Sequence, residues 1–155
     1  MKQSIEEQIL EKTINHLTHH TTAQYIDEDW GQLSDYGQNP PVKWFCILID
    51  ISAANYSDIG RDRKECPANR QQGTGIFTFT IADLKLTNSS AKAPALQKEK
   101  SRSIHAYKEM VHEALQGFAP TETTGGFVRT GMRKIKRDDG IQQYQITYTL
   151  GLNNV

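Results

Sequence analysis

The stretch from Phe127 to Leu150, FVRTGMRKIKRDDGIQQYQITYTL, decides how this chain reads. In its second half Tyr144, Ile146, Tyr148 and Leu150 alternate with Gln143, Gln145, Thr147 and Thr149. Successive side chains of a strand point to opposite faces, so this pattern predicts a strand with one apolar and one polar face. Asp139-Gly140 separates it from a second strand-like run, Phe127 to Lys136. An Asp-Gly pair between two strand patterns accepts the positive φ that a tight hairpin needs, so an antiparallel hairpin is expected here.

Working outward, residues 95–117 place Ile104, Tyr107, Val111 and Leu115 on one stripe, with Gly117 and Pro120 as stop signals. That is an amphipathic helix. Residues 87–94 and 121–126 are rich in turn formers and read as loops. Gly73 to Leu86 alternates Phe77, Phe79 and Ile81 with Thr78, Thr80 and Ala82, a further strand. Val42 to Ile51 contains the unbroken apolar run Trp44 to Ile49, which predicts a central strand covered on both faces. The polar segment 53–72 between these two strands reads as a long loop, of the kind that carries function. Residues 21–41, ending in Asn39-Pro40-Pro41, read as irregular. Residues 2–20 form a helix with Ile5, Ile9, Thr13 and Leu17 on its stripe, Leu10 and Ile14 beside it, and Ser4 with Glu7 as a capping box. The expected fold class is α+β, in the order α-β-β-α-β-β: a mostly antiparallel four-stranded sheet with two helices packed on one face, a single domain over 1–155.

Composition narrows the function classes. The chain has 155 residues, with 18 Lys and Arg against 18 Asp and Glu, a formal net charge of zero. General binding to nucleic acid or to membranes favours a basic excess that is missing here, so neither a membrane partner nor sequence-specific nucleic acid is expected. No apolar signal segment or membrane-spanning run is visible, which points to a cytoplasmic protein. Cys46 falls in the apolar run and Cys66 beside Pro67 in polar sequence; two unpatterned cysteines suggest a reducing compartment. Asn88-Ser89-Ser90 matches a glycosylation pattern that has no meaning without secretion.

Three sets of residues could carry chemistry. His16, His19 and His20 sit one helical turn apart, a spacing that can bring two imidazoles to a metal, but no acidic residue or cysteine completes the set. His105 and His112 share a face of the second helix, with nothing to complete a site. Asp50 ends one strand and Asp83-Leu84-Lys85 lies near the end of the next. An acid followed by acid-x-Lys on adjacent strands is how many nucleases hold Mg²⁺ beside a lysine, and Glu6 or Glu7 could join. Asp50, Asp83 and Lys85 also read simply as strand ends entering solvent. No nucleophile arrangement, phosphate loop or dinucleotide fingerprint is present, so no cofactor and no enzymatic activity are expected. Two basic clusters remain: Arg61, Arg63 and Lys64 in the segment 53–72, and Arg129, Arg133, Lys134, Lys136 and Arg137 on the final hairpin. They read either as a solvated face balanced by Asp138 and Asp139, or as a surface for an acidic protein partner or for DNA passing through a ring of such subunits. Beside the Mg²⁺-dependent nuclease, a generic protein-binding adaptor of the same fold is the other alternative function.

The element order, the segment Ile26 to Leu33 (IDEDWGQL), the entry Pro40-Pro41-Val42-Lys43 and the end Val128 to Thr147 resemble small tail proteins of prophage-like elements in Bacteroides-type bacteria. The layout is similar to tail-terminator or tail-completion proteins of long-tailed phages. That resemblance implies a structural protein of virion assembly at the head-tail junction, located in the virion tail. It implies a ring on the tail tube, with six subunits as the usual number, that stops tube growth and faces the head. The implied partners are further copies of itself, tail-tube protein and head-tail connector proteins. Subunit contacts would fall on 53–72 and the final hairpin, and no catalytic residues carry over.

Overall fold

The computed structural model describes residues 2–37, 39–85 and 89–153. Leu86, the expected end of one strand, and Asn88 of the Asn-Ser-Ser tripeptide lie outside the described residues. The described residues form three helices and one five-stranded sheet: α1 (Ile5–His20), β1 (Tyr25–Glu28), β2 (Cys46–Arg61), β3 (Asn69–Leu84), α2 (Ala95–Ser101), α3 (Ser103–Leu115), β4 (Val128–Ile135) and β5 (Ile141–Asn153). The strands lie in the order β1-β2-β3-β5-β4. All neighbours are antiparallel except β1 and β2, which run parallel.

The class is α+β, as read from the periodicities, but the sheet is mixed and has one strand more than expected. The extra strand is β1, inside the stretch read as irregular. Four residues carrying Asp27 and Glu28 give no apolar alternation; β1 exists because β2 offers it an edge, in register Tyr25↔Cys46 to Glu28↔Ile49.

The segment 53–72 is a second correction. It is the outer part of a long hairpin rather than a loop, with β2 and β3 paired to Arg61↔Asn69 and bulges between Ile51 and Ala53 and between Asp58 and Gly60. Most of its side chains meet water, so its polar sequence hides a backbone ladder. The helix expected over 95–117 is also broken, at Arg102 (φ −106, ψ 8). Ser101 and Ser103 hydroxyls donate to the carbonyls of Lys98 and Lys100, bonds that compete with helix continuation.

The core follows the strand alternation. Ile47, Ile49, Phe77, Phe79, Ile81, Ile146, Tyr148 and Leu150 face Ile9 and Leu17 of α1 and Ile104, Val111 and Leu115 of α3. The opposite face of β2 is covered by chain preceding it: Leu33 packs with Cys46, Leu48, Ala82 and Ile141, flanked by Tyr25, Val42 and Trp44. This is why the run Trp44 to Ile49 is apolar on both faces. Ser4 caps α1 by accepting from the Glu7 N–H, as the sequence suggests.

Candidate assembly surface

The sheet has two edges, and they differ in length and charge. On one side β1 stops at Glu28↔Ile49, so among the described residues no strand covers the outer edge of β2 from Asp50 to Arg61. At roughly 3.3 Å per residue that edge runs for over 30 Å. On the other side, among the described residues, β4 pairs with β5 alone. Every β4 residue from Val128 to Lys134 is exposed, including the apolar Val128 and Met132.

The residues on β4 sort by register. Arg129, Met132 and Lys134 stand opposite Tyr148, Ile146 and Tyr144, on the helix face; Arg133 stands opposite Gln145, on the other face, and donates to the Gln145 amide oxygen at 2.9 Å. A bulge at Thr130 shifts the pattern between Arg129 and Gly131. Arg137, in the turn, pairs with Asp139 at 2.6 Å. Among the described residues Arg129, Arg133 and Lys134 have no carboxylate partner. Asp139 is held below the usual carboxylate range, chiefly by its hydrogen bonds from Arg137.

On the helix face this basic strand meets α3. The Lys108 ammonium lies 3.7 Å from the centre of the Tyr144 ring, the Lys134 ammonium 5.8 Å from the same ring, and His105 packs edge-on at 5.8 Å. A tyrosine face attracts cations, which is how one ring gathers three cation-capable groups. The crowding is visible in their protonation. His105 is pushed down first by partial burial, then by the charges of Lys108, Lys134 and Arg102. Lys108 is lowered by partial burial and by Lys134 and Arg129. The sequence clusters contain neither Lys108 nor Tyr144, because α3 and β5 bring them to β4 only in three dimensions. Beside them the Tyr148 hydroxyl lies 3.0 Å from His112 Nδ1 and is pushed up to about 12 by burial.

Arg61, Arg63 and Lys64 lie at the far end of the β2–β3 hairpin, remote in sequence pairing from β4. The two expected basic clusters are therefore separate surfaces. At the base of that hairpin an open polar groove is lined by Asn55, Ser57, Gln72, Thr74, Thr123 and Asn153.

Asp50 and Asp83 are not brought together. Asp50 follows Cys46 and Leu48 on the face away from the helices and pairs with Thr78. Asp83 follows Phe77, Phe79 and Ile81 on the helix face, where the Ser103 hydroxyl of α3 reaches it at 3.5 Å. The two lie on opposite faces and roughly 16 Å apart along the ladder, at ~3.3 Å per residue. Burial raises the Asp83 carboxyl, and its side chain also accepts from the Leu84 N–H. The Lys85 ammonium donates to the Ser89 hydroxyl.

The histidines of α1 are engaged locally. His16 Nε2 lies 2.7 Å from the Ala114 carbonyl oxygen, and its ring stacks on Phe118 with centres 3.7 Å apart. His19 Nδ1 lies 2.7 Å from the Asn15 carbonyl oxygen, and His20 packs on His16. Among the described residues no three His, Cys, Asp or Glu side chains are grouped to hold a metal ion. Cys46 is buried and its thiol is pushed up to about 12 by that burial, whereas Cys66 is exposed. Among the described residues no helix is long and apolar enough to cross a membrane.

No family model matches the chain, and no curated protein matches it. Among solved structures the chain is similar to one described as "Virion of native gene transfer agent (GTA) particle", with a TM-score of 0.48 and 10% identity, over 94% of this chain and 90% of that one.

Proposed function

We propose that this protein is a structural subunit of a phage-type tail, a terminator or completion protein that closes the tail tube as a ring at the head-tail junction. The observation that carries the reading is where the tail-protein-like segments fall. Ile26 to Leu33 forms the short edge strand β1 and the turn behind it, Pro40 to Lys43 leads into β2, and Val128 to Thr147 spans the other edge, β4, and most of β5. The resemblance thus concentrates on both margins of the sheet, where a subunit meets its neighbours. Both margins leave backbone groups unpaired, and a strand edge is the part of a sheet best suited to joining another chain.

The nuclease alternative is not favoured, because Asp50 and Asp83 occupy opposite faces of the sheet. Metal-dependent cleavage needs both acids on one ion.

The test is mass in solution, alone and with purified tail-tube protein of the same element. Rings or ring-capped tubes are expected when the two are mixed. A chain that stays monomeric and ignores tube protein at high concentration would overturn the tail reading.

A further inference from the structure

Tyr144 collects positive charge that no acid answers. It stands on the helix face of β5, opposite Lys134 of β4. His105 and Lys108 reach it from α3, one helical turn apart on the same side of the helix. The Lys108 ammonium is 3.7 Å from the ring centre, and the Lys134 ammonium and the His105 ring are each 5.8 Å from it. Arg102, just before α3, and Arg129 of β4 add their fields at the rim. We infer that this cluster is a binding site for a phosphate group, held between the Lys108 and Lys134 ammoniums beside His105.

Three observations support that ligand. First, the ammoniums lack acceptors. A lysine ammonium has three N–H donors. The acceptor for Lys108 is the Met132 thioether sulfur at 3.7 Å, a weak one. Among the described residues no oxygen accepts from the Lys108 or Lys134 ammonium. Lys108 is half-buried, which limits how far water can stand in for the missing acceptors.

Second, the charge is not neutralised. A tyrosine face attracts cations through its quadrupole but carries no net charge of its own. Among the described residues no carboxylate pairs with Lys108, Lys134, His105 or Arg129; the ion pair of this region is Arg137 with Asp139, in the turn. Glu109 of α3 acts on the Tyr148 hydroxyl instead. Lys108 and His105 are both held below their ordinary range, by partial burial first and by neighbouring cations next. A bound anion would reverse the second of these causes.

Third, the donors suit a phosphate better than a carboxylate. They come from two elements, α3 and β4, on different sides of one ring. A carboxylate offers two oxygens in a plane and a single charge. A phosphate monoester offers three acceptor oxygens and about −1.5 to −2 charges at pH 7. With charge-assisted bonds of about 2.8 Å, a tetrahedral group can accept from an ammonium on either side of it. A nucleic-acid backbone offers one charge per phosphate and binds through many cations at once, which a chain of zero net charge does not favour. The site needs one subunit and no partner, so it does not rest on the tail reading.

The test is NMR of the full chain at constant ionic strength, balanced with chloride. The probes are inorganic phosphate, glycerol 3-phosphate and a short single-stranded DNA. Inorganic phosphate should shift the assigned His105 resonances saturably, half-maximally at or below ~1 mM, the range that a few charge-assisted bonds supply. It should also raise the His105 titration midpoint by about one pH unit, as an opposite charge close by does. Lys108→Gln and Lys134→Gln should each weaken binding about tenfold. Arg133→Gln removes the same charge from the other face of β4, where Arg133 meets Gln145, and should change binding by less than about twofold. Circular dichroism confirms that each variant folds.

Glycerol 3-phosphate binding at least as tightly as inorganic phosphate identifies a phosphorylated small molecule as the ligand, and the reverse order identifies free phosphate; both uphold the site. A His105 signal that stays put up to ~20 mM phosphate overturns it, because that concentration fills even weak sites. So does an Arg133→Gln chain that loses as much affinity as Lys108→Gln, since general surface charge would then explain the binding. DNA that saturates the His105 shift at a far lower concentration per phosphate overturns the small-ligand assignment in favour of a nucleic-acid backbone. Failure to form rings on tube protein would leave each of these results as it is.

Discussion

Tyr144 gathers Lys108, Lys134 and His105 around one ring, and none of the three has a carboxylate partner among the described residues. His105 consequently sits below its ordinary pKa, through partial burial and then through repulsion by Lys108, Lys134 and Arg102. A histidine whose folded pKa is lowered leaves more protons bound in the unfolded chain, so its protonation destabilises the fold as pH falls below the unfolded value of about 6.5. Lys108→Gln removes one of the repelling charges. In that variant His105 should titrate at a higher pH by NMR, and the loss of stability between about pH 7.5 and about pH 5 should shrink. An unmoved His105 titration would show that Lys108 does not act on it. Nothing in the sequence marks this cluster, because its members come from α3, β4 and β5. His105 is visible as a helix residue and Lys134 as part of a basic run; their meeting on Tyr144 depends on the sheet order.

Elements with a strong apolar period were legible. The stripe Ile9, Thr13 and Leu17 and the alternation Tyr144, Ile146, Tyr148 and Leu150 both face the core as read. Elements held by backbone pairing at an exposed margin were not. β1, the outer half of β2 and the start of β3 before Gly73 bury too little for their side chains to reveal them, and β1 with the outer part of β2 forms one of the two margins of the sheet. Glycines show the same division between local and tertiary causes. Gly140, in the expected Asp-Gly turn, has φ +80 and open space where a Cβ would be. Gly140→Ala should therefore cost only the backbone strain, about 1 kcal/mol. At Gly126 a Cβ would stand 2.7 Å from the Gly117 carbonyl oxygen. There Phe127 is tied by backbone hydrogen bonds to Gly117 and Phe118, so neither side can move freely. Gly126→Ala should cost about 3 kcal/mol, the upper end for forced overpacking. Urea unfolding of both variants checks the order, and equal losses would contradict the close approach of these two segments.

Across the whole molecule, a formal net charge of zero conceals a separation of charge between the two margins of one sheet. A neutral chain has little overall self-repulsion, so copies can approach, and the separated charges then decide which surfaces meet. This makes the salt dependence of self-association diagnostic. Exposed charges interact over about 10 Å at 0.1 M salt and about 3 Å at 1 M. A ring contact guided by the cations of β4, Arg133 and Lys134 among them, against the acidic residues Asp27, Glu28, Asp29 and Asp50 of the other margin should weaken about tenfold or more between roughly 0.05 and 0.5 M NaCl. Contact through the apolar residues Val128, Met132 and Tyr56 alone has no charge to screen, and excluded salts such as sulfate would strengthen it. Sedimentation equilibrium across a salt series, in chloride and in sulfate, separates the two. Association that is flat in chloride and rises in sulfate would remove the electrostatic basis of a contact between the two margins. Association that falls in chloride for the native chain, but not for Arg133→Glu with Lys134→Glu, would place that charge dependence on β4.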